Sequence, residues 1–157
     1  MVDVGAKPVT ARVAIASGRI TMSREAFTAL RAGRIAKGEA LALARAAGIA
    51  AAKRTSEWIP LCHTVPLDHV RVEIRPHPAQ RAFTVEAQAA ARWSTGVEME
   101  ALVAVAAGLL TLYDMAKAID RGMTIDRIRL LRKSGGRSGT WTRRGGGPVR
   151  RTRSLSG

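Results

Sequence analysis

The stretch Gly96–Arg121, GVEMEALVAVAAGLLTLYDMAKAIDR, constrains this chain more than any other segment. Its spacing predicts one long helix in which Leu102, Val105, Leu109, Leu112, Ala116 and Ile119 form a core stripe. Val103, Ala107 and Leu110 make the opposite side apolar too. A helix apolar all round has to be covered all round. A small domain with one sheet covers one side, so a second subunit is expected to cover the other, with this helix in the oligomer interface. The longest uncharged run, Ala101–Tyr113, has 13 residues and falls about a third short of a bilayer crossing, so no membrane partner is expected.

The flanking segments alternate between helix and strand. Arg12–Met22 (RVAIASGRITM) is β-branched with a Ser-Gly pair in its middle, which predicts a short hairpin. Ser23 is a suitable N-cap for a helix reaching Ala32, and Gly33 ends it. Glu39–Lys53 predicts a second helix, so rich in alanine that its backbone can approach a neighbour closely. His69–Arg75 and Phe83–Ala89 alternate strictly and read as an antiparallel hairpin turned around Pro76 and Pro78. Thr124–Leu131 returns as a strand. The class is α+β, an antiparallel sheet packed with helices.

At 157 residues the chain has the length of one domain, which we place at residues 1–139. Residues 140–157 form an Arg/Gly-rich C-terminal tail, expected to be mobile for want of apolar side chains. The net charge of +14 suggests nucleic-acid binding until its distribution is examined. Arg127–Gly157 holds ten Lys and Arg and no acidic residue, while the preceding 126 residues carry 16 basic and 12 acidic residues. The folded body is therefore only +4, with few aromatic residues. An oligomeric nucleic-acid-binding protein acting through its tail is the alternative function, and the weaker one. The lone Cys62 excludes an internal disulfide framework, and Met1–Gly5 lacks the start of a secretion signal. A reducing, cytoplasmic setting follows as the expectation.

Several polar residues need explanation. Thr95–Glu98 fits a capping box, which would account for Glu98 but not for Glu100. Asp114 and Lys117 share one helix face and are either a surface pair or, if buried against a partner helix, a functional one. Lys53 and Arg54 suit a helix C-terminus. His63, at the end of the irregular stretch Ile59–His63, could be a buried hydrogen-bonding residue, a phosphate contact or a base. One cysteine and three histidines do not suggest a dedicated metal site.

MVDVGAK (Met1–Lys7), KG (Lys37-Gly38), AGIAAAKRTSEWIPLCH (Ala47–His63), GVEMEA (Gly96–Ala101), LYDMAKA (Leu112–Ala118) and LLRKSGGRSG (Leu130–Gly139) occur in this order. Together they resemble the cyclic pyranopterin monophosphate synthases of molybdenum cofactor biosynthesis. The resemblance implies a ferredoxin-like α+β subunit in a homohexamer, a trimer of dimers. Glu98 and Asp114, 16 residues and about 24 Å apart on one predicted helix, further predict active sites shared between subunits. The implied reaction converts 3′,8-cyclo-7,8-dihydroguanosine triphosphate into cyclic pyranopterin monophosphate and pyrophosphate. It needs no cofactor, with Mg²⁺ the one ion that could accompany the triphosphate. Matched to the family pattern, Asp114 is the candidate for general acid/base catalysis, with Lys117 and Lys37 as its catalytic partners. Leu61, Cys62, His63, Met99, Glu100, Glu98, Lys53 and Arg12 match the substrate-binding positions. The family's histidine is commonly followed by proline, whereas Thr64 follows His63 here.

Overall fold

Gly18 sits in the middle of an unbroken twelve-residue strand, β1 (Thr10–Thr21), where the sequence suggests a hairpin turn. The glycine is there for another reason. A Cβ at Gly18 would lie 2.7 Å from Leu109 Cδ1 and 2.9 Å from Val105 Cγ1, so its absence lets a helix seat on the strand.

The computed structural model describes residues 1–144. Within the tail expected to be mobile from residue 140, Trp141–Thr142 instead form a short strand on the sheet, and residues 145–157 lie outside the described residues. After β1 come α1 (Arg24–Arg31), α2 (Ala40–Ala52), α3 (Thr55–Trp58), β2 (His69–His77), β3 (Ala82–Trp93), α4 (Glu98–Ala116), β4 (Thr124–Ser134) and β5 (Trp141–Thr142). All strand pairs are antiparallel, in the order β2-β3-β1-β4-β5. The first four strands thus have the β-α-β-β-α-β succession and 4-1-3-2 order of a ferredoxin-like sheet, with the short β5 added outside β4. The expected helices and the β2–β3 hairpin are present, and Ser23 caps α1 by accepting from the Ala26 N–H. Gly33, in the left-handed region at φ +66, follows that helix.

The register places Ala14, Ala16 and Ile20 of β1 opposite Ala89, Ala87 and Phe83 of β3, all buried. This face carries α4, whose Val105, Leu109, Leu112 and Ala116 are fully buried. Leu102 is only half-buried, and Ile119 lies exposed beyond the end of the helix, so the expected core stripe shortens at both ends. Although long and apolar enough by composition to span a bilayer, α4 is mostly buried within this fold.

The far side of α4 corrects a second expectation. Val103 and Ala107 pack with Ala51 of the same chain, with Ile59 beside them, so α2 covers two of the three residues that a second subunit was expected to cover. Alanine and glycine make this possible. A Cβ at Gly48 would lie 2.8 Å from the Ala104 carbonyl oxygen, and one at Gly108 would lie 3.4 Å from that of Ala44. These pairs run in opposite directions, so α2 and α4 are antiparallel and closely apposed. Leu110 of α4 and Leu43 of α2 remain 53% and 46% exposed, the apolar remnant of this helix pair.

Because the atom facing Gly48 is backbone, a methyl there must part the two helices. Gly48→Ala is expected to lose about 1–3 kcal/mol of unfolding free energy, a typical overpacking cost. Urea titration checks this, and an unchanged midpoint would mean that the apposition is looser than it looks.

Candidate functional site

Lys37, Asp114 and Lys117 meet at the C-terminal end of α4. Asp114 is three residues before Lys117 on the last turn, and Lys117 Nζ lies 2.7 Å from Asp114 Oδ1. Lys37 arrives from the turn before α2, which Gly38 closes at φ +106 with its N–H donating to the Ile35 carbonyl. Lys37 Nζ donates to Asp114 Oδ2 at 2.8 Å and to the Asp114 backbone oxygen at 3.1 Å. Each carboxylate oxygen therefore holds one ammonium.

Hydrogen bonds from Lys117 and then Lys37 pull the Asp114 carboxyl down to a pKa of about 2. It is charged at any neutral pH and is a feeble base while both partners hold it. The cluster is half-exposed, so its ions are well solvated. Its chemical capacity is to fix two ammonium groups side by side, positioned by an anion that does not itself protonate.

The opposite end of α4 holds the acidic candidates. Glu98, Met99 and Glu100 form its first turn, but the expected capping box is absent. The N-cap is Val97, with no side-chain cap, and the Glu98 carboxylate folds back over Gly96, where a Cβ would collide with it. Glu100 is the feature of note: only 3% exposed, with its carboxyl pushed above the usual range by burial and then by the charge of Glu98. Burial and the Glu100 charge also raise the Cys62 thiol, which places Cys62 near this carboxyl and makes it a poor nucleophile. Cys62 and His63 are half-buried, Met99 is half-buried, and Leu61 and Lys53 are exposed. Continuing the antiparallel register from the Gly48–Ala104 contact by about one turn brings Lys53 to this end.

The Glu100 pKa is raised in the fold, so above the ordinary value of 4.5 the folded state holds more protons than the unfolded chain. Its stability therefore falls as pH rises through that window. Glu100→Gln keeps the shape without the charge, and its melting temperature relative to the native protein is expected to improve from pH 5 to pH 8. A constant difference across that range would show that burial does not raise the Glu100 carboxyl.

Beside Glu98 opens a cavity of about 320 Å³ bordered by β1, the start of α4 and the loop after β4. Arg12 is its best-fixed cation: Nε donates to the Trp93 carbonyl at 3.2 Å and a terminal nitrogen to that of Ser94 at 3.3 Å. Lys7, Lys133 and Arg137 also line it, and sequence reasoning did not single them out. Their signal was present in MVDVGAK and LLRKSGGRSG, but isolated cations next to a basic tail do not stand out until the fold gathers them. Thr10, with its Oγ1 buried and unpartnered, borders the same space. Four cations and one carboxylate around a cavity suit a polyanion.

Of the eleven sequence candidates, the structure brings Lys37, Asp114 and Lys117 together at one end of α4. It places Glu98 and Arg12 at the cavity and Cys62 near Glu100 at the same far end. Glu98 and Asp114 are 16 residues apart on one helix, about 24 Å at 1.5 Å per residue. A single chain does not unite the two groups.

Residues 1–136 match the MoaC family. The chain is 57% identical over 143 residues to a cyclic pyranopterin monophosphate synthase of Thermomicrobium roseum, covering 91% of this chain and 86% of that protein. It is 54% identical over 143 residues to one of Chloroflexus aurantiacus, covering 91% and 88% respectively. It is 52% identical over 139 residues to one of Cereibacter sphaeroides, covering 88% and 87%.

Proposed function

The chain belongs to the MoaC family, and from that premise we propose how its residues make cyclic pyranopterin monophosphate and pyrophosphate from 3′,8-cyclo-7,8-dihydroguanosine triphosphate. This is an early step of molybdenum cofactor biosynthesis. The observation that carries the assignment of roles is the Asp114 carboxylate held between two ammonium groups at one end of α4, with a basic cavity at the other.

A triphosphate that ends as a cyclic monophosphate exchanges one P–O bond for another. A hydroxyl of the substrate attacks the α-phosphorus as pyrophosphate departs. The departing oxygens need cations, which Lys7, Arg12, Lys133 and Arg137 supply around the cavity. The attacking hydroxyl and the rearranging purine ring need protons moved. Lys37 and Lys117 carry those protons in this reading, and Asp114 is the fixed anion that orients them and balances their charge. Glu100, buried and biased toward its neutral form, is suited to donate a hydrogen bond to a ring heteroatom. Leu61, Cys62, His63 and Met99 border the ring, with Lys53 and Glu98 between ring and phosphates.

A folded nucleotide does not bridge about 24 Å along one helix. The reading therefore pairs the Glu100 end of one chain with the Asp114 end of a second, inside a homohexamer built as a trimer of dimers. The exposed Leu43 and Leu110 supply apolar surface for such contacts. No resident cofactor is required by this chemistry, and the cytoplasm is where a nucleotide-derived substrate would be met. The test is to incubate the purified protein with the cyclised dihydroguanosine triphosphate, with and without Mg²⁺, and follow both products. Equimolar pyranopterin and pyrophosphate are expected, and release of neither would reject the reading.

A further inference from the structure

We infer that Gly136 is a positioning residue, whose missing side chain lets the loop after β4 close against the Arg12 guanidinium and hold it at the cavity.

Three observations meet at this point. Arg12 leaves β1 and is held from one side by the carbonyls of Trp93 and Ser94. On the other side the loop comes so close that a Cβ at Gly136 would overlap an Arg12 terminal nitrogen. Gly136 also sits at φ +72, a region L-residues adopt at a cost. The guanidinium is thus clasped between two carbonyls and a bare backbone, and a methyl at Gly136 would push it out of this position.

Neighbouring glycines serve different purposes. At Gly135, φ +96, a Cβ would collide with the Ala11 carbonyl oxygen, a backbone atom that no side-chain movement can relieve. That residue docks the loop on β1. At Gly139, φ +59, nothing lies within 4 Å of an added Cβ, so the cost of a side chain there is backbone strain alone. Gly135 also comes within 3.2 Å of Arg12 Cδ, but its collision is with the Ala11 backbone, whereas at Gly136 every close atom belongs to the Arg12 guanidinium, so there removing Arg12 relieves the clash.

The effect on ligand binding rests on the reading of this cavity as the phosphate end of the site, but the structural coupling does not. The experiment is a double-mutant cycle on the full chain, reading melting temperature and calorimetric binding of inorganic pyrophosphate. Gly136→Ala should lower the melting temperature more than Gly139→Ala does, and adding Arg12→Ala should recover most of the excess. The same Arg12→Ala should recover nothing in Gly135→Ala. Pyrophosphate affinity should fall about tenfold in Gly136→Ala and in Arg12→Ala, and no further in the double variant.

Additive losses in the Gly136→Ala/Arg12→Ala protein would overturn the inference, as would Gly139→Ala matching Gly136→Ala in both readouts. Full pyrophosphate affinity in Arg12→Ala would remove the phosphates from this cavity, and the thermal cycle would still decide whether Gly136 seats Arg12. If Gly136→Ala folds poorly alone, recovery of the fold by Arg12→Ala supports the inference and failure to recover rejects it.

Discussion

Asp114→Asn is expected to keep the fold and the oligomer while turnover falls by about 10²–10⁴-fold, the range of a lost acid–base device. The two lysines explain why so exposed a residue should matter so much. Lys37 Nζ and Lys117 Nζ lie 2.8 and 2.7 Å from opposite oxygens of one carboxylate. An amide keeps the size but loses the charge that holds both ammonium groups, so they repel and separate. As a contribution to stability the cluster is small, because half-exposed pairs are screened by water. A variant that melts normally but does not turn over separates function from structure. Near-native turnover would remove Asp114 from the mechanism. The pH profile gives a companion check. With its pKa drawn to about 2, Asp114 stays ionised through neutral pH, so any acid limb between pH 5 and 7 must belong to another group.

Mixing inactive Glu100→Ala protein with inactive Asp114→Asn protein, under conditions that exchange subunits, is expected to restore activity to about a quarter of native in the simplest twofold case. Half of the pairs would be mixed. Each mixed pair would concentrate both defects in one site and leave the other whole. The expectation follows from helix length, because Glu100 and Asp114 stand at opposite ends of α4 and cannot close on one small substrate within a chain. Absence of activity despite demonstrated exchange would confine the site to a single chain and require a different route for the substrate.

The alternating strands were legible in the sequence because period-2 alternation is a local property. Val72 and Ile74 of β2 and Phe83, Val85 and Ala87 of β3 all turn to the core as their spacing predicts. The same holds for α1, whose Ser23 cap needs only its own neighbours. Gly18 misled for the opposite reason. A Ser-Gly pair suggests a turn when only the chain neighbours are considered, whereas here the glycine answers to Leu109 and Val105, some ninety residues later in sequence. The over-apolar α4 misled likewise. Its hydrophobicity correctly demanded cover on both sides, but periodicity could not say that α2 of the same chain would supply it.

By itself the sequence determined the α+β class, the family motifs and the shared face of Asp114 and Lys117, since each depends on residues within a few positions of one another. Only the tertiary structure decided that Lys37 completes their cluster from 77 residues away. It also decided that Glu100 is buried and that Lys7, Arg12, Lys133 and Arg137 surround one cavity. Helix and strand periods are set by adjacent residues, but charge pairing, desolvation and cavity shape arise from segments that meet only when the sheet has closed.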